Sequence, residues 1–371
     1  MSTIGTLKAS LTSRVKVLVL VVALVAGCAL PYVVNSFVLR TMTLALIYGL
    51  FAMSINLLAR GGLITLGHGA IFGTAAYGVG YVATHMQVGH AQQIVIGMAC
   101  AMLLCVVYAL MAMRTTAAYF IMVTLAQGMI IYGLAYSLQP ITGGENGLPG
   151  VSRPAWMNQD WQFYYVCLLV LSGCAGLIWV ITRSPFGLAL RGLDASESRL
   201  QMLGYNPTLH KFYGFMLAGF FGGISGVLFV YNNEFVSPSS TAFLTSAFGV
   251  LMIILGGIGT MSGPLIGAII IVFIQNWLSA YVDRWPTVLG LIFIGMILFA
   301  RDGFVGGVAR LWNNWLARKA RAELADAASA VLVGVPHGMP THLAGEPRRD
   351  QDQRPAGDSP EVDTSRKRAE P

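Results

Sequence analysis

The sequence predicts an all-α, polytopic membrane protein of about ten transmembrane helices, and three observations predict it. Of its 371 residues 56% are hydrophobic and 11% charged, where a soluble domain carries about 25% charged residues; the mean hydropathy is +0.67. The apolar residues come in runs close to the roughly 20 needed to cross a bilayer. Charges are segregated as well, since none of the sixteen carboxylates falls inside those runs. The net charge of +7 needs no nucleic acid to explain it, because membrane proteins collect Lys and Arg on their cytoplasmic side.

The first run, 17–34, follows Lys8, Arg14 and Lys16. Its basic start and Val25-Ala26-Gly27-Cys28 also fit a processed signal, but the chain stays apolar beyond Cys28, which favours a retained span. Further spans are expected at 41–59, 63–83, 93–113, 118–138, 161–182, 212–231, 244–258, 263–281 and 287–300. The domain plan is a cytoplasmic N-terminus (1–16), a transmembrane domain (17–300) and two tail segments. Residues 301–343 are helix-compatible, with Trp312, Trp315 and Leu316 suited to an interface and Arg318, Lys319 and Arg321 to acidic headgroups. Residues 344–371, rich in charge and free of aromatics, should be disordered. With the N-terminus inside, 20 of the 23 basic residues lie on the cytoplasmic side and only Arg40, Arg153 and Arg284 outside. Both termini are then cytoplasmic.

The stretch 183–211 is a long polar interruption that falls on the same side. Ser184-Pro185 fits an N-cap and first-turn proline, opening a helix that Gly192 can end. Asp194 with Glu197 repeats the start signal, and Gly204 is placed to close a second helix as its left-handed residue. Asn206-Pro207 restarts the chain. Leu193, Leu200 and Leu203 recur at roughly heptad spacing and predict one apolar docking face; a solvated loop with some helix is the plainer reading.

Two spans are glycine-rich: 61–80 has seven glycines, and Gly249–Gly267 has six. Small residues allow close helix packing, and paired broken spans also line pathways in transporters built from repeated halves. His68 either contacts a solute or bonds a neighbouring backbone carbonyl. Opposite the 183–211 side, 142–150 (TGGENGLPG) is forced into turns by its glycines and Pro149, and 231–235 (YNNEF) is short and polar. The five cysteines lie in apolar runs without metal-ligand spacing and read as packing residues.

Several functions are disfavoured. None of the five lysines follows a glycine, so no Gly-Lys-Ser/Thr phosphate loop exists here, and no catalytic constellation suggests an enzyme. Spans without Asp or Glu disfavour proton coupling. A pore energised by a protein docked on the 183–211 loop fits best, with an ion-coupled secondary transporter or channel as the alternative.

The loop and following helix, SPFGLALRGLDASESRLQMLGYNPTLHKFYGFMLAGFFGGISGVLF, resemble the permease subunits of branched-chain amino acid ABC importers. So do GGLITLGHGAIFGTAAYGVG, AYFIMVTLAQGMIIYG, ITGGENGL and GGIGTMSGPLIGA, in the same order, over roughly 35–307. The importer motif Glu-Ala-Ala-x-x-x-Gly is represented only by Ser198-Arg199-Leu200 before Gly204. The resemblance implies an ATPase-coupling loop carried by Arg191, Asp194, Glu197, Leu203, Gly204 and Tyr205. With it goes a substrate pathway at Thr65, Gly67, His68, Gly69, Thr124 and Gln127, and binding-protein contacts at Glu145, Asn146, Asn232 and Glu234. It implies a second homologous permease chain, two cytoplasmic ATPase subunits carrying ATP and Mg, a periplasmic solute-binding protein, and a place in the bacterial inner membrane. This chain would hold no cofactor or metal. Branched-chain amino acids are the expected solutes, with urea, amides or aromatic acids as alternatives.

Overall fold

The computed structural model describes residues 27–282 except 33, 87 and 116, together with seven positions between 284 and 295. The expected spans 17–34 and 287–300, the N-terminus and both tail segments lie largely or wholly outside the described residues. After a short helical piece at 27–32, the helices are α1 (Ser36–Ala59), α2 (His68–His85), α3 (His90–Ala112), α4 (Ala117–Ser137), short α5 (Gln139–Thr142), α6 (Asp160–Arg183), α7 (Pro185–Ala195), α8 (Glu197–Met202), α9 (Pro207–Asn233), α10 (Phe243–Gly256) and α11 (Gly263–Ser279). Two-residue strands β1 (Leu148–Pro149) and β2 (Phe235–Val236) pair antiparallel, Leu148 opposite Val236.

Among the described residues five helices, α1, α3, α4, α6 and α9, are long and apolar enough to cross a membrane. The 24 residues of α1 span about 36 Å at 1.5 Å each, ample for a hydrocarbon core of about 30 Å. The 14 residues of α10 reach only about 21 Å, short of the roughly 30 Å hydrocarbon core.

Buried helices form the centre. The apolar windows of α1 and α9 are 83% and 72% buried, those of α3, α4 and α6 only 22–28%. Around α2, Phe51 and Phe72 sit 4.9 Å apart and Phe72 and Phe229 5.0 Å apart by ring centroid. Between membrane helices, where lipid is as apolar as leucine, association rests on close packing. Glycine supplies it: a side-chain carbon on Gly78 would lie 2.8 Å from Gly97 Cα across the α2–α3 contact, and one on Gly249 would lie 2.5 Å from Phe51 and Ile55.

One expected span is corrected. Helix α2 starts at His68, not 63, and residues 60–67 run as turns and irregular chain. Irregular backbone at membrane depth has to be hydrogen-bonded by protein, since an unpaired group there costs several kcal/mol. Side chains meet that need. Thr124 Oγ1 accepts from Leu66 N–H (3.3 Å), Thr65 Oγ1 from Gly67 N–H (3.2 Å) and Ser246 Oγ from Gly69 N–H (2.8 Å). The corresponding break between α10 and α11 is held by Asn56, which accepts from Gly259 N–H (2.9 Å) and donates to the Thr260 carbonyl (2.8 Å).

Candidate functional site

The 183–211 segment folds as two capped helices, with caps partly different from those expected. The Ser184 side chain accepts from Gly187 N–H and Pro185 opens α7. Helix α7 runs through Gly192 to Ala195, and Ser196, not Asp194, caps α8, its hydroxyl accepting from Arg199 N–H. Gly192 need not stop a helix whose next hydrogen bonds are intact: Ser196 N–H still reaches the Gly192 carbonyl at 3.1 Å. The C-terminus is as expected. Gly204 has φ +85°, its N–H donates to the Gln201 carbonyl (2.9 Å), and Tyr205 N–H donates to the Leu200 carbonyl (3.2 Å). That pair of bonds is the Schellman ending. Asn206 then caps α9 through Leu209 N–H.

The three leucines do not share a face. Leu193 and Leu200 are 6% and 5% exposed, turned toward the protein, whereas Leu203 is 74% exposed beside Met202 at 80%, with Leu188 at 70% on α7. Heptad spacing presumes one helix, and the break at Ser196 redirects everything after it. The outward surface is therefore Leu188, Met202 and Leu203 with exposed Arg191 and Arg199. Leu190 seats α7 on the bundle, in space that glycine leaves: a side-chain carbon on Gly61 or Gly214 would lie 3.1 Å from it. Asp194 rests against Gly62. Burial, and then the neighbouring Arg191 guanidinium, lower the pKa of Arg60.

Glu197 is engaged internally. Its Oε1 lies 2.6 Å from Lys211 Nζ, whose side chain is 5% exposed, and the same Nζ donates to the Thr115 carbonyl at 3.1 Å. In the sequence Lys211 is one more basic residue in a loop, and no local pattern signals its burial.

Of the expected pathway residues, Thr65, Gly67, His68, Gly69 and Thr124 meet at the start of α2. Thr65, His68 and Thr124 are fully buried. His68 Nε2 is 3.0 Å from Ser54 Oγ, and its ring lies against Phe51 and Phe215. A side-chain carbon on Gly67 would collide with the Thr124 carbonyl, and one on Gly69 would lie 2.8 Å from Ser246 Oγ. Thr65, Thr124 and Ser246 thus have the backbone-satisfying role described above. Gln127 differs: it is 4% exposed, and among the described residues neither amide atom has a hydrogen-bond partner. The hydroxyl of buried Tyr108, whose ring flanks Gly67, is unpaired too. A primary amide and a phenol can hydrogen-bond an uncharged or zwitterionic solute and add no net charge. Lys211 is the one charged residue in the buried set among the described residues. No group of three or more metal-ligating side chains occurs among them either.

At the far end of the bundle the two polar loops are one structure. Strand β1 pairs β2, and Gly147, at φ +65°, lets the chain pass against the Val236 carbonyl, where any side chain would collide. Arg153, its side chain 6% exposed, donates to the Tyr231 carbonyl (2.7 Å), the Asn232 carbonyl (2.9 Å) and Asp160 Oδ1 (3.1 Å), and lies 3.5 Å from Glu234 Oε1. Arg40 completes the group at 2.8 Å from Asp160 Oδ2. Of the expected contacts, Glu145, Asn146 and Glu234 are exposed and Asn232 half-buried. The Tyr136 hydroxyl donates to Glu145 at 3.2 Å.

Comparison with known proteins follows this geometry. Residues 37–301 match the family model described as branched-chain amino acid transport system / permease component. The chain is 25% identical to the high-affinity branched-chain amino acid transport system permease protein LivM of Escherichia coli, covering 78% of this chain and 74% of that protein. It is 24% identical, with the same coverage, to the LivM protein of Salmonella typhimurium. The ribose import permease protein RbsC of Haemophilus influenzae is 22% identical over 38% of this chain and 46% of its own length. No solved structure matches.

Proposed function

Because this chain belongs to the branched-chain amino acid transport permease family, a family of multi-pass ABC permeases, we propose that it is the membrane subunit of an ATP-driven importer. It moves branched-chain amino acids, or a similar small neutral solute, across the bacterial inner membrane. The observation that carries this reading is the pair α7–α8: two short capped helices seated on the bundle, presenting Leu188, Met202 and Leu203 outward. An exposed apolar patch rimmed by Arg191 and Arg199 marks a protein contact. Two ATPase subunits, which bind ATP and Mg, dock there from the cytoplasm, one on this chain and one on a second homologous permease. This chain carries no catalytic site of its own. ATP-driven closure draws the coupling helices together and reopens the bundle on the other side, where a periplasmic solute-binding protein meets Glu145, Asn146, Asn232 and Glu234.

Gln127 and Tyr108 support a net-neutral solute without choosing among leucine, urea, an amide or an aromatic acid. A relative named for ribose import fits the same neutral class. The test is ATP-dependent uptake by the purified chain with its co-expressed partners in proteoliposomes, with labelled leucine and labelled urea compared. Leucine uptake that requires ATP and the binding protein is expected; uptake driven by an ion gradient without ATPases would overturn the reading. A reporter active only in the cytoplasm should work after Lys211 and fail near Asn146.

A further inference from the structure

Resting on that functional reading, we propose that Lys211 is a positioning residue that carries displacement of the coupling helix α8 to the start of α4, and so to Thr124 and Gln127. Helix α8 has only six residues and is bounded by non-helical breaks, at Ser196 and at the Leu203–Asn206 turn. Leu200 anchors it within its own loop, beside Gly192. The Glu197–Lys211 pair reaches further, because Lys211 Nζ also holds the Thr115 carbonyl, 96 residues away in sequence, in the turn before α4. Helix α4 begins two residues later at Ala117. Thr124 and then Gln127 follow within its first three turns.

The location of this lysine is costly, because it is almost wholly buried, where a charge is tolerated only when paired. A long lysine can ordinarily carry its ammonium out to water; here it spans instead to one carboxylate and one carbonyl on separate segments. A methionine would fill the space without the expense. Glu197 is 39% exposed at its side chain, so it stands between the surface that a partner touches and the buried ammonium. A pull on α8 moves Glu197, and Lys211 passes that movement on to Thr115.

The test uses the whole complex in proteoliposomes and measures uptake per ATP hydrolysed for Lys211→Met, Lys211→Arg, Glu197→Gln and the Lys211→Met/Glu197→Gln double variant. The expected result is that Lys211→Met keeps its ATPase subunits and its basal hydrolysis while uptake per ATP falls about tenfold. Arginine should restore it to within about threefold, and the double variant should be no worse than the worse single one, as groups acting in one chain are non-additive. An unchanged uptake-to-ATP ratio in Lys211→Met overturns the proposal. So does a result in which arginine and methionine equally lower the amount of assembled complex, which marks a packing role. Should Lys211→Met fail to reach the membrane, Glu197→Gln decides: a wild-type ratio in that variant overturns the proposal, a reduced one supports it. A wild-type complex without any ATP-dependent uptake removes the functional reading itself, and this proposal with it.

Discussion

At the strand-paired end of the bundle, Arg153 offers a planar fork to two carbonyls and a carboxylate, with Glu234 beside it and the Phe163 ring 4.6 Å from its guanidinium. At the coupling-loop end, Lys211 offers a single ammonium to one carboxylate and one carbonyl. Both are cations whose side chains are buried and tie distant segments, and they differ in how firmly they tie them. A guanidinium fixes its partners in one geometry, whereas an ammonium on a flexible stem can follow a partner that moves. The fork sits where two loops must keep one shape, reinforced by the β1–β2 pairing. The point charge sits where a short helix bounded by the Ser196 cap and the Gly204 turn meets the bundle. On the proposed coupling, one end holds and the other travels.

The sharpest way to break this comparison is to remove the fork. Arg153→Met leaves the Tyr231 and Asn232 carbonyls without that donor and Asp160 with Arg40 alone, and breaking a buried charge network typically costs about 3–5 kcal/mol. A marked fall in the thermal unfolding temperature of the detergent-purified chain is expected. Arg153→Lys should recover little of it, since an ammonium cannot span the same acceptors. Full recovery by lysine would mean the two ties are equivalent.

Next in size is Gly67→Leu. Its side chain would meet the Thr124 carbonyl and the Tyr108 ring, and overpacking of this kind costs about 1–3 kcal/mol. The variant should reach the membrane but unfold at lower temperature and lose uptake. Wild-type stability would show that α2 and α4 can separate at this point.

Smaller still is Gly204→Val. Nothing lies within 4 Å of a side-chain carbon at that position, where φ is +85°, so the penalty is conformational and amounts to about 1–2 kcal/mol. Thermal stability should fall slightly. ATPase subunits should still copurify, while their hydrolysis ceases to respond to the loaded binding protein because the exit of α8 is redirected. If hydrolysis responds normally, the rigid ending of α8 is not part of coupling.

What could be read from the sequence follows the same division. The caps at Ser184, Gly204 and Asn206 were legible because each satisfies groups within about four residues of itself. The all-helical, polytopic class was legible from uninterrupted apolar length. The two ties were not, because Lys211 finds Thr115 across 96 positions and Arg153 finds Asn232 across 79, and a basic residue in a loop ordinarily faces water. The pairing of 148–149 with 235–236 escaped for the same reason: each loop taken alone is only a polar turn. The inward face of Leu193 and Leu200 was missed because one serine, placed where its hydroxyl could cap α8, breaks the helical period. Thr65 and Thr124, expected with Gln127 to line a pathway, both hydrogen-bond the 66–67 backbone. The division into backbone-satisfying threonines and an unpaired amide depends on the irregular chain at 60–67, which a count of apolar residues had merged into a span.

The central claim is that the travelling end is where the ATPases dock, and Leu203→Asp tests it most directly. Leu203 is 74% exposed, so a carboxylate there should change the stability of the isolated chain by no more than about 0.5 kcal/mol. In an assembled complex the same carboxylate would be buried without a partner, at a cost of several kcal/mol. The measurement is affinity purification of the tagged permease with co-expressed ATPase subunits, alongside a thermal melt of each variant. The account predicts an unchanged melt and loss of the ATPases from Leu203→Asp. ATPases retained at the wild-type ratio, with normal uptake, would contradict it.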